Sequence, residues 1–214
     1  MSEDRNAPRT HRRRFLAGVG VAATAGALAA SSRAAKAQGL DGEGFRPPRH
    51  DKDAWMESLA GDKDHRVFID SASGVGGATA VLYANNILSA HQEDYAGADD
   101  EYAMIVCFRH AATALGYTDA MWQKYGEVFS RVTRLSVPGG DSPLSVNPLN
   151  LEGANFGNIG NTLDHVRGRG VQFAICNRAT HSMSRRLSAV TGQSAASHYA
   201  ELIQENIATS RFVP

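Results

Sequence analysis

Cys176 is the residue of this chain whose surroundings best suit nucleophilic chemistry. The stretch VQFAICNRATH at 171–181 runs from apolar residues into this cysteine and then turns polar and basic. Arg178 and His181 follow closely, and a helix predicted to begin near Ala179 would point its N-terminal dipole at the sulfur. Both effects favour the thiolate, the reactive form in sulfur transfer and disulfide exchange. The competing interpretation is a cysteine packed as a small apolar side chain, and the sequence does not separate the two.

A second group of candidate residues surrounds the other cysteine. Cys107 lies inside an apolar run, which favours core packing, while Arg109 and His110 follow that run directly. His110 is a candidate acid-base group, although a lone histidine is more often a hydrogen-bonded bystander. A disulfide between the two cysteines stays open and needs Cα atoms within about 7 Å. A metal site built from both cysteines, His110 and His181 would need four separated residues to converge, so we expect neither a metal nor another cofactor.

A glycine-containing turn at Gly74, Gly76 and Gly77 is the third candidate site. Such a turn can cradle a phosphate where a helix begins. It lacks the third glycine of a dinucleotide fingerprint and the Lys-Ser/Thr pair of a P-loop. A tight connection between a strand and a helix is therefore the favoured interpretation.

The elements that must position these residues alternate between strand and helix. Strands are predicted around 67–69, at 101–108, at 171–176 and, more weakly, at 209–213, and helices at 78–95, 117–126, 158–170, 179–192 and 194–207. The segment 137–156, rich in Pro, Gly, Ser and Asn, is predicted to be a long loop. The alternation predicts an α/β fold with three layers, an open, mostly parallel sheet with helices on both faces. Sites in such sheets form beyond the C-terminal strand ends, where the three candidate groups fall.

The N-terminal segment has the features of an export signal. Arg12, Arg13 and Arg14 precede Phe15 and Leu16, and an Ala/Gly-rich stretch follows them. The apolar part is short of the roughly 18–20 residues that span a bilayer. The segment 35–37, Ala-Lys-Ala, fits signal peptidase, so we expect a cleaved twin-arginine signal at 1–37 and a periplasmic protein without membrane insertion.

Removal of that signal changes the charge of the chain. The full sequence has 22 basic and 22 acidic residues, and the signal holds seven of the former and two of the latter. The mature net charge of −5 argues against nucleic acid as a partner, since phosphate binding requires basic surface. The polar segment 38–64 is predicted to be an N-terminal arm, and residues 65–214 form one domain.

Five segments of this domain resemble the DsrE/DsrF-like family of small sulfur-relay proteins. They are RVFIDSASGVGG at 66–77, YANNIL at 83–88, AMIVCFRHAATAL at 103–115, MWQKYG at 121–126 and TLDHVRGRGVQFAIC at 162–176. The resemblance implies an α/β fold with a parallel sheet and a homo-oligomer or complex subunit. Cys176 falls on the position of the family's sulfur-accepting cysteine, with Arg178, His181, His110 and Arg109 in support.

The chain departs from the family pattern in three places. The turn after the second strand reads Arg109-His110 where many members have His-Gly. The segment 128–157 resembles a loop insertion. The family usually continues into one more helix at the position that follows Val213. The leading hypothesis is a sulfur carrier that holds a persulfide on Cys176 and passes it to a thiol-bearing partner, rather than a turnover enzyme. The alternative is a non-catalytic binding or assembly subunit that uses the fold as a scaffold.

Overall fold

The computed structural model describes residues 61–207 and 210–213. The expected signal at 1–37 and most of the arm at 38–64 lie outside these residues. Four strands are present, namely His65–Ser71 (β1), Tyr102–Phe108 (β2), Gln172–Cys176 (β3) and Ser210–Val213 (β4). The α-helices of the described part are Gly74–Tyr95 (α1), Asp119–Thr133 (α2), Leu163–Gly168 (α3), Asn177–Thr191 (α4) and Ala195–Gln204 (α5). Short 3-10 helices occupy Asp99–Glu101, His110–Gly116 and Pro148–Asn150.

The four strands form one parallel sheet in the order β1-β2-β3-β4. Asp70 is in register with Cys107, and Cys107 is in register with Ala174. The α/β class and the parallel sheet are therefore confirmed. The order of the strands in the sheet is also their order in the chain, so each connection places the next strand beside the previous one, always on the same side of it.

One face of the sheet carries the hydrophobic core. Met104, Val106 and Phe108 alternate along β2, and all three are buried with Phe173 of the neighbouring strand. On the opposite face, Phe68 of β1 is 60% exposed. Alternate residues of a strand point to opposite faces, so the core lies on the face that carries the even-numbered residues of β2.

The helices of the described residues form a single layer over that core face. Helices α1, α2 and α4 all contact the 3-10 helix at 110–116, α3 contacts α1, and α5 contacts α4. Parallel neighbours joined in chain order by right-handed crossovers place all their connections on one side of the sheet. The described part thus has two layers, and the second helix layer of the three-layer prediction is not among these residues. Helical periodicity in the sequence does not say on which face of a sheet a helix packs.

The 3-10 helix at 110–116 lies in the centre of the core, and only the turn at Arg109 and His110 was predicted from the sequence. Ala112, Ala114 and Leu115 are fully buried. A Cβ on Gly116 would lie 2.4 Å from the Cδ1 atom of Ile175, so the glycine is required for close contact with β3. This short segment therefore joins the helix layer to the sheet.

Helix α2 runs to Thr133, but Tyr125 has non-helical dihedral angles, φ −126° and ψ 17°, so the helix end predicted near Gly126 corresponds to a kink inside α2. A Cβ on Gly126 would lie 1.9 Å from the carbonyl oxygen of Leu144. The glycine thus follows the kink and is a contact point between the helix and the following loop. As a result, the first residues of the segment expected to be an insertion, from Val128, belong to α2.

The loop after α2 is fastened to the core by a buried asparagine. The Nδ2 amide of Asn147 donates to the carbonyl oxygens of Leu115 at 2.8 Å and Tyr117 at 2.9 Å. Its Oδ1 accepts from the backbone N–H of Leu149 at 3.1 Å. The predicted loop at 137–156 is confirmed apart from the 3-10 helix near its centre.

The helix expected at 158–170 is shorter than predicted. It is limited to α3, whose first turn is capped by the side chain of Thr162.

None of the described helices combines the length and the apolar character needed to cross a membrane.

Candidate functional site

Cys176 ends β3 and is the N-cap residue of α4, with an extended backbone at φ −69° and ψ 113°. Its side chain is partly exposed and its thiol is free. A buried chain of hydrogen bonds fixes its backbone. The Tyr117 hydroxyl donates to Thr180 Oγ1 at 3.0 Å, and Thr180 Oγ1 donates to the carbonyl oxygen of Cys176 at 3.1 Å. Burial raises the pKa of Tyr117, so its hydroxyl remains a donor at neutral pH.

The thiol opens into a groove of about 860 Å³ between α2 and α4. We call this the arginine groove because five arginines line it and, in the part of the chain that the structure describes, no acidic residue does. Its charged or chemically reactive lining residues are Arg109, His110, Arg131, Arg134, Cys176, Arg178 and Arg186. Val128, Val132 and Met183 supply an apolar floor. A groove of this composition suits an anion with an apolar portion.

Two of the five arginines already have acidic partners. Arg109 Nε donates to Asp70 Oδ1 at 2.6 Å, and this hydrogen bond lowers the pKa of Asp70. Arg131 pairs with Glu127 one helical turn away, at 2.8 Å. The other three, Arg134, Arg178 and Arg186, form no ion pair within the described residues and are exposed. They are therefore available to an anionic ligand.

Cys107 lies on the strand next to Cys176 but in a different environment. It is buried, and burial raises its pKa to about 11, with the Asp70 carboxylate adding to the effect. It remains a neutral thiol at pH 7 and is a poor nucleophile. Its register partner is Ala174, two residues before Cys176, and both thiols are free. The disulfide considered from the sequence is therefore absent from the structure.

The two candidate histidines lie in different places. His110 lines the arginine groove, is exposed and has φ +47°, a left-handed conformation that is uncommon outside glycine. His181 turns away from the groove. Its ring stacks on that of Tyr199 in α5, with centroids 3.9 Å apart, and Tyr199 donates to Asn177 Oδ1. The mixed Cys/His metal site is thus not assembled, because the four side chains do not converge.

Six arginine and histidine residues line the groove, and three of them were predicted from the sequence. Arg109, His110 and Arg178 were expected at the site, whereas Arg131, Arg134 and Arg186 were not. Arg131 lies in the last turn of α2, and Arg134 is the C-cap residue of that helix, with a left-handed backbone at φ +59°. Neither could be placed beside Cys176 from the sequence, because the end of α2 was predicted seven residues too early.

The glycine turn is not a phosphate site. Ser73 caps α1 by accepting from the N–H of Gly76 at 3.0 Å, and Gly74 and Gly77 lie in the first helical turn. A Cβ on Gly74 would lie 2.4 Å from the carbonyl oxygen of Thr133, and one on Gly77 would lie 2.4 Å from Leu115 Cδ1. The helix start is therefore closed by protein atoms, as expected for a tight connection.

No protein-family model, curated protein or solved structure matches this chain.

Proposed function

We propose that this protein is a DsrE-like sulfur carrier that holds sulfane sulfur as a persulfide on Cys176. The supporting observation is a free, partly exposed thiol at the end of a groove lined by five arginines. A terminal persulfide sulfur and a polysulfide donor are both anions, and guanidinium groups stabilise anions by charge and by hydrogen bonds. The second cysteine is buried and protonated, so a single thiol carries the chemistry.

The transfer consists of two sulfur-exchange steps without net oxidation. The Cys176 thiolate attacks a sulfane sulfur of a polysulfide, the S–S bond to the rest of the donor breaks, and the shortened polysulfide leaves with the bonding electrons. A partner thiolate then attacks the terminal sulfur of the persulfide, and Cys176 leaves as thiolate. Arg178 and His110 line the same groove as Cys176 and would stabilise the charged forms, and Arg109 is held in place by Asp70.

Peptide mass spectrometry tests this proposal. The protein is treated with inorganic polysulfide, alkylated and digested, and we expect one added sulfur on the Cys176 peptide that dithiothreitol removes. Cys176→Ser should lose the modification, while the matched variant Cys107→Ser should keep it, because Cys107 is buried. An unmodified Cys176 peptide in folded wild-type protein would refute the carrier function.

The alternative is a non-catalytic binding or assembly subunit, and the arginine groove also favours it. Three arginines that have no acidic partner among residues 61–207 would form a docking surface for an acidic protein segment whether or not the thiol reacts. In that case, Arg178→Glu would abolish partner binding and Cys176→Ser would leave it unchanged. For the carrier, Cys176→Ser abolishes transfer from the persulfide to the partner even where the partner still binds.

We also propose that the chain acts in the periplasm as a homo-oligomer or complex subunit, after export through the twin-arginine pathway. The support is the sequence pattern at Arg12 to Leu16 together with Ala35 to Ala37. Replacement of Arg12 and Arg13 by lysine should retain the uncleaved precursor in the cytoplasmic fraction, whereas Arg5→Lys should not. Equal periplasmic amounts of the wild type and the double variant would contradict this route.

A further inference from the structure

A second cluster of chemically capable side chains lies at the opposite end of the sheet from Cys176. The potential ligand atoms of His65, His91 and Glu101 all lie within 4.8 Å of one another. His65 is the first residue of β1, and Glu101 precedes β2, so the cluster lies at the amino ends of these parallel strands. The persulfide chemistry proposed above does not use any of the three residues.

Three separate elements hold these side chains together. His91, in the last turns of α1, has its Nε2 atom 2.6 Å from Oε2 of Glu101. The ring of His65 meets the ring of His91 edge-on, with centroids 4.9 Å apart. Gly97 lies against the His91 ring so closely that a Cβ at this position would be 1.9 Å from Nε2. The loop after α1 therefore fixes the imidazole, whereas His65 is exposed and free to adjust.

Two imidazoles and one carboxylate match the ligand preference of divalent transition metals. Zinc takes nitrogen ligands at about 2.0–2.1 Å and carboxylate oxygen at about 2.0–2.2 Å, and sites with three protein ligands keep a fourth position for water. Ligand atoms around a tetrahedral ion are therefore roughly 3.3 Å apart, which small side-chain rotations from the present positions provide. The His91–Glu101 hydrogen bond marks the place where a cation would replace the shared proton.

We propose that His65, His91 and Glu101 bind one Zn²⁺ ion, which joins the start of β1 to the end of α1 and to the segment before β2. The side chains of His91 and Glu101 are 12% and 38% exposed, so the site is open enough to exchange the ion. No acidic cluster is involved, which argues against calcium and magnesium, since these ions prefer all-oxygen sites. The bound ion stabilises the domain because the unfolded chain does not hold the three ligands together.

Calorimetric titration of the full chain with ZnCl₂, and visible absorption with Co²⁺ as a probe of tetrahedral geometry, test the proposal. The measurement is made in the Cys176→Ser background, so that the groove thiol cannot contribute. We expect one site that His65→Ala or Glu101→Gln weakens by more than roughly tenfold, since each variant removes a direct ligand. The control His165→Ala, a histidine bonded to Asn85 outside the cluster, should keep the affinity.

Thermal unfolding supplies a second readout. ZnCl₂ at about 100-fold over the dissociation constant should raise the Tm by ~5–10 °C in the parent and in His165→Ala, but not in the ligand variants. The proposal would be overturned if Zn²⁺ does not bind, or if His65→Ala and Glu101→Gln bind it as tightly as the parent. The cluster would then be only a hydrogen bond beside packed aromatic rings. Neither readout involves Cys176, whereas the carrier function is tested by persulfidation of Cys176. A failure of the zinc site can therefore be distinguished from a failure of the carrier function.

Discussion

Cys107 and Cys176 lie on neighbouring strands of one sheet, and only Cys176 reaches a groove. The apolar run from Ala103 to Phe108 predicted that Cys107 is buried, and it is buried, although it lies on the face opposite to the one that carries Met104, Val106 and Phe108. For Cys176 the sequence left reactive and packed interpretations equally open. Its exposure depends on how far α2 and α4 lie apart at the end of β3, which is a property of packing between segments more than 40 residues apart in the chain.

The raised pKa of Cys107 predicts an alkaline loss of stability. A buried thiol with a pKa of about 11 keeps its proton in the folded state, while the unfolded thiol releases it near its ordinary value of about 8.5. The stabilisation is therefore complete below about pH 8.5 and is lost as pH rises toward 11. We expect urea unfolding to show a decrease of about 3 kcal/mol over this range that is absent in Cys107→Ser.

The contribution of Cys107 is the difference between wild type and Cys107→Ser in the pH dependence of the free energy of unfolding. Tyr117 contributes in the same direction in both, since burial raises its pKa as well. An identical pH dependence in wild type and Cys107→Ser would show that the Cys107 thiol is not stabilised in its protonated form.

At the scale of the elements, the contact between α2 and the following loop depends on Gly126. In Gly126→Ala the new methyl group would meet the Leu144 carbonyl oxygen, so we expect a loss of about 3 kcal/mol in the free energy of unfolding. Gly168→Ala is the matched control, because a Cβ at this helical position meets no atom within 4 Å. It should leave stability equal or higher by about 0.5 kcal/mol. Equal stability of the two variants in urea would contradict this role of Gly126.

The strands and most helices could be predicted from the sequence, whereas several boundaries could not. The apolar composition of β1, β2 and β3, together with the polar or glycine residues on either side of each, was sufficient to predict these strands. Gly126 predicted a helix end because glycine is a common helix-stop signal, whereas α2 is only kinked there, at Tyr125, and the close approach of the Leu144 backbone explains the glycine. In the same way, the 3-10 helix at 110–116 gains its stability from burial that a local pattern does not reveal.

At the scale of the whole molecule, the distribution of charge differs from the net charge. The expected mature chain is acidic, yet the groove beside Cys176 is lined by five arginines. The net charge predicts that nucleic acid is not a partner, but it does not report the local field at the thiol. The arginine groove could not be predicted because its two sides come from α2 and α4, which a long loop, α3 and β3 separate in the chain.

The groove predicts a salt-dependent reaction with an anionic donor. We expect the rate of Cys176 persulfidation by polysulfide to fall roughly tenfold as ionic strength rises from about 0.02 to 0.5 M, because ions screen the guanidinium charges. Arg178→Ser combined with Arg186→Ser should slow the reaction at low salt and flatten this dependence. Arg185→Ser is the control, since Arg185 donates to Ser182 and does not line the groove. Stopped-flow rates that are independent of salt in the wild type would contradict electrostatic attraction.

The strand order β1-β2-β3-β4 has a consequence for how the groove comes into being during folding. Each strand pairs with its neighbour in the chain, so the sheet can grow at one edge as successive segments arrive. The closure between β2 and β3 spans the longest connection, from Phe108 to Gln172, and loop-closure entropy increases with length. That same closure brings Arg109 and His110 alongside Cys176. The Cys176 thiol therefore acquires its surroundings only at the entropically most demanding step, and a chain that has not completed it has a cysteine but no groove.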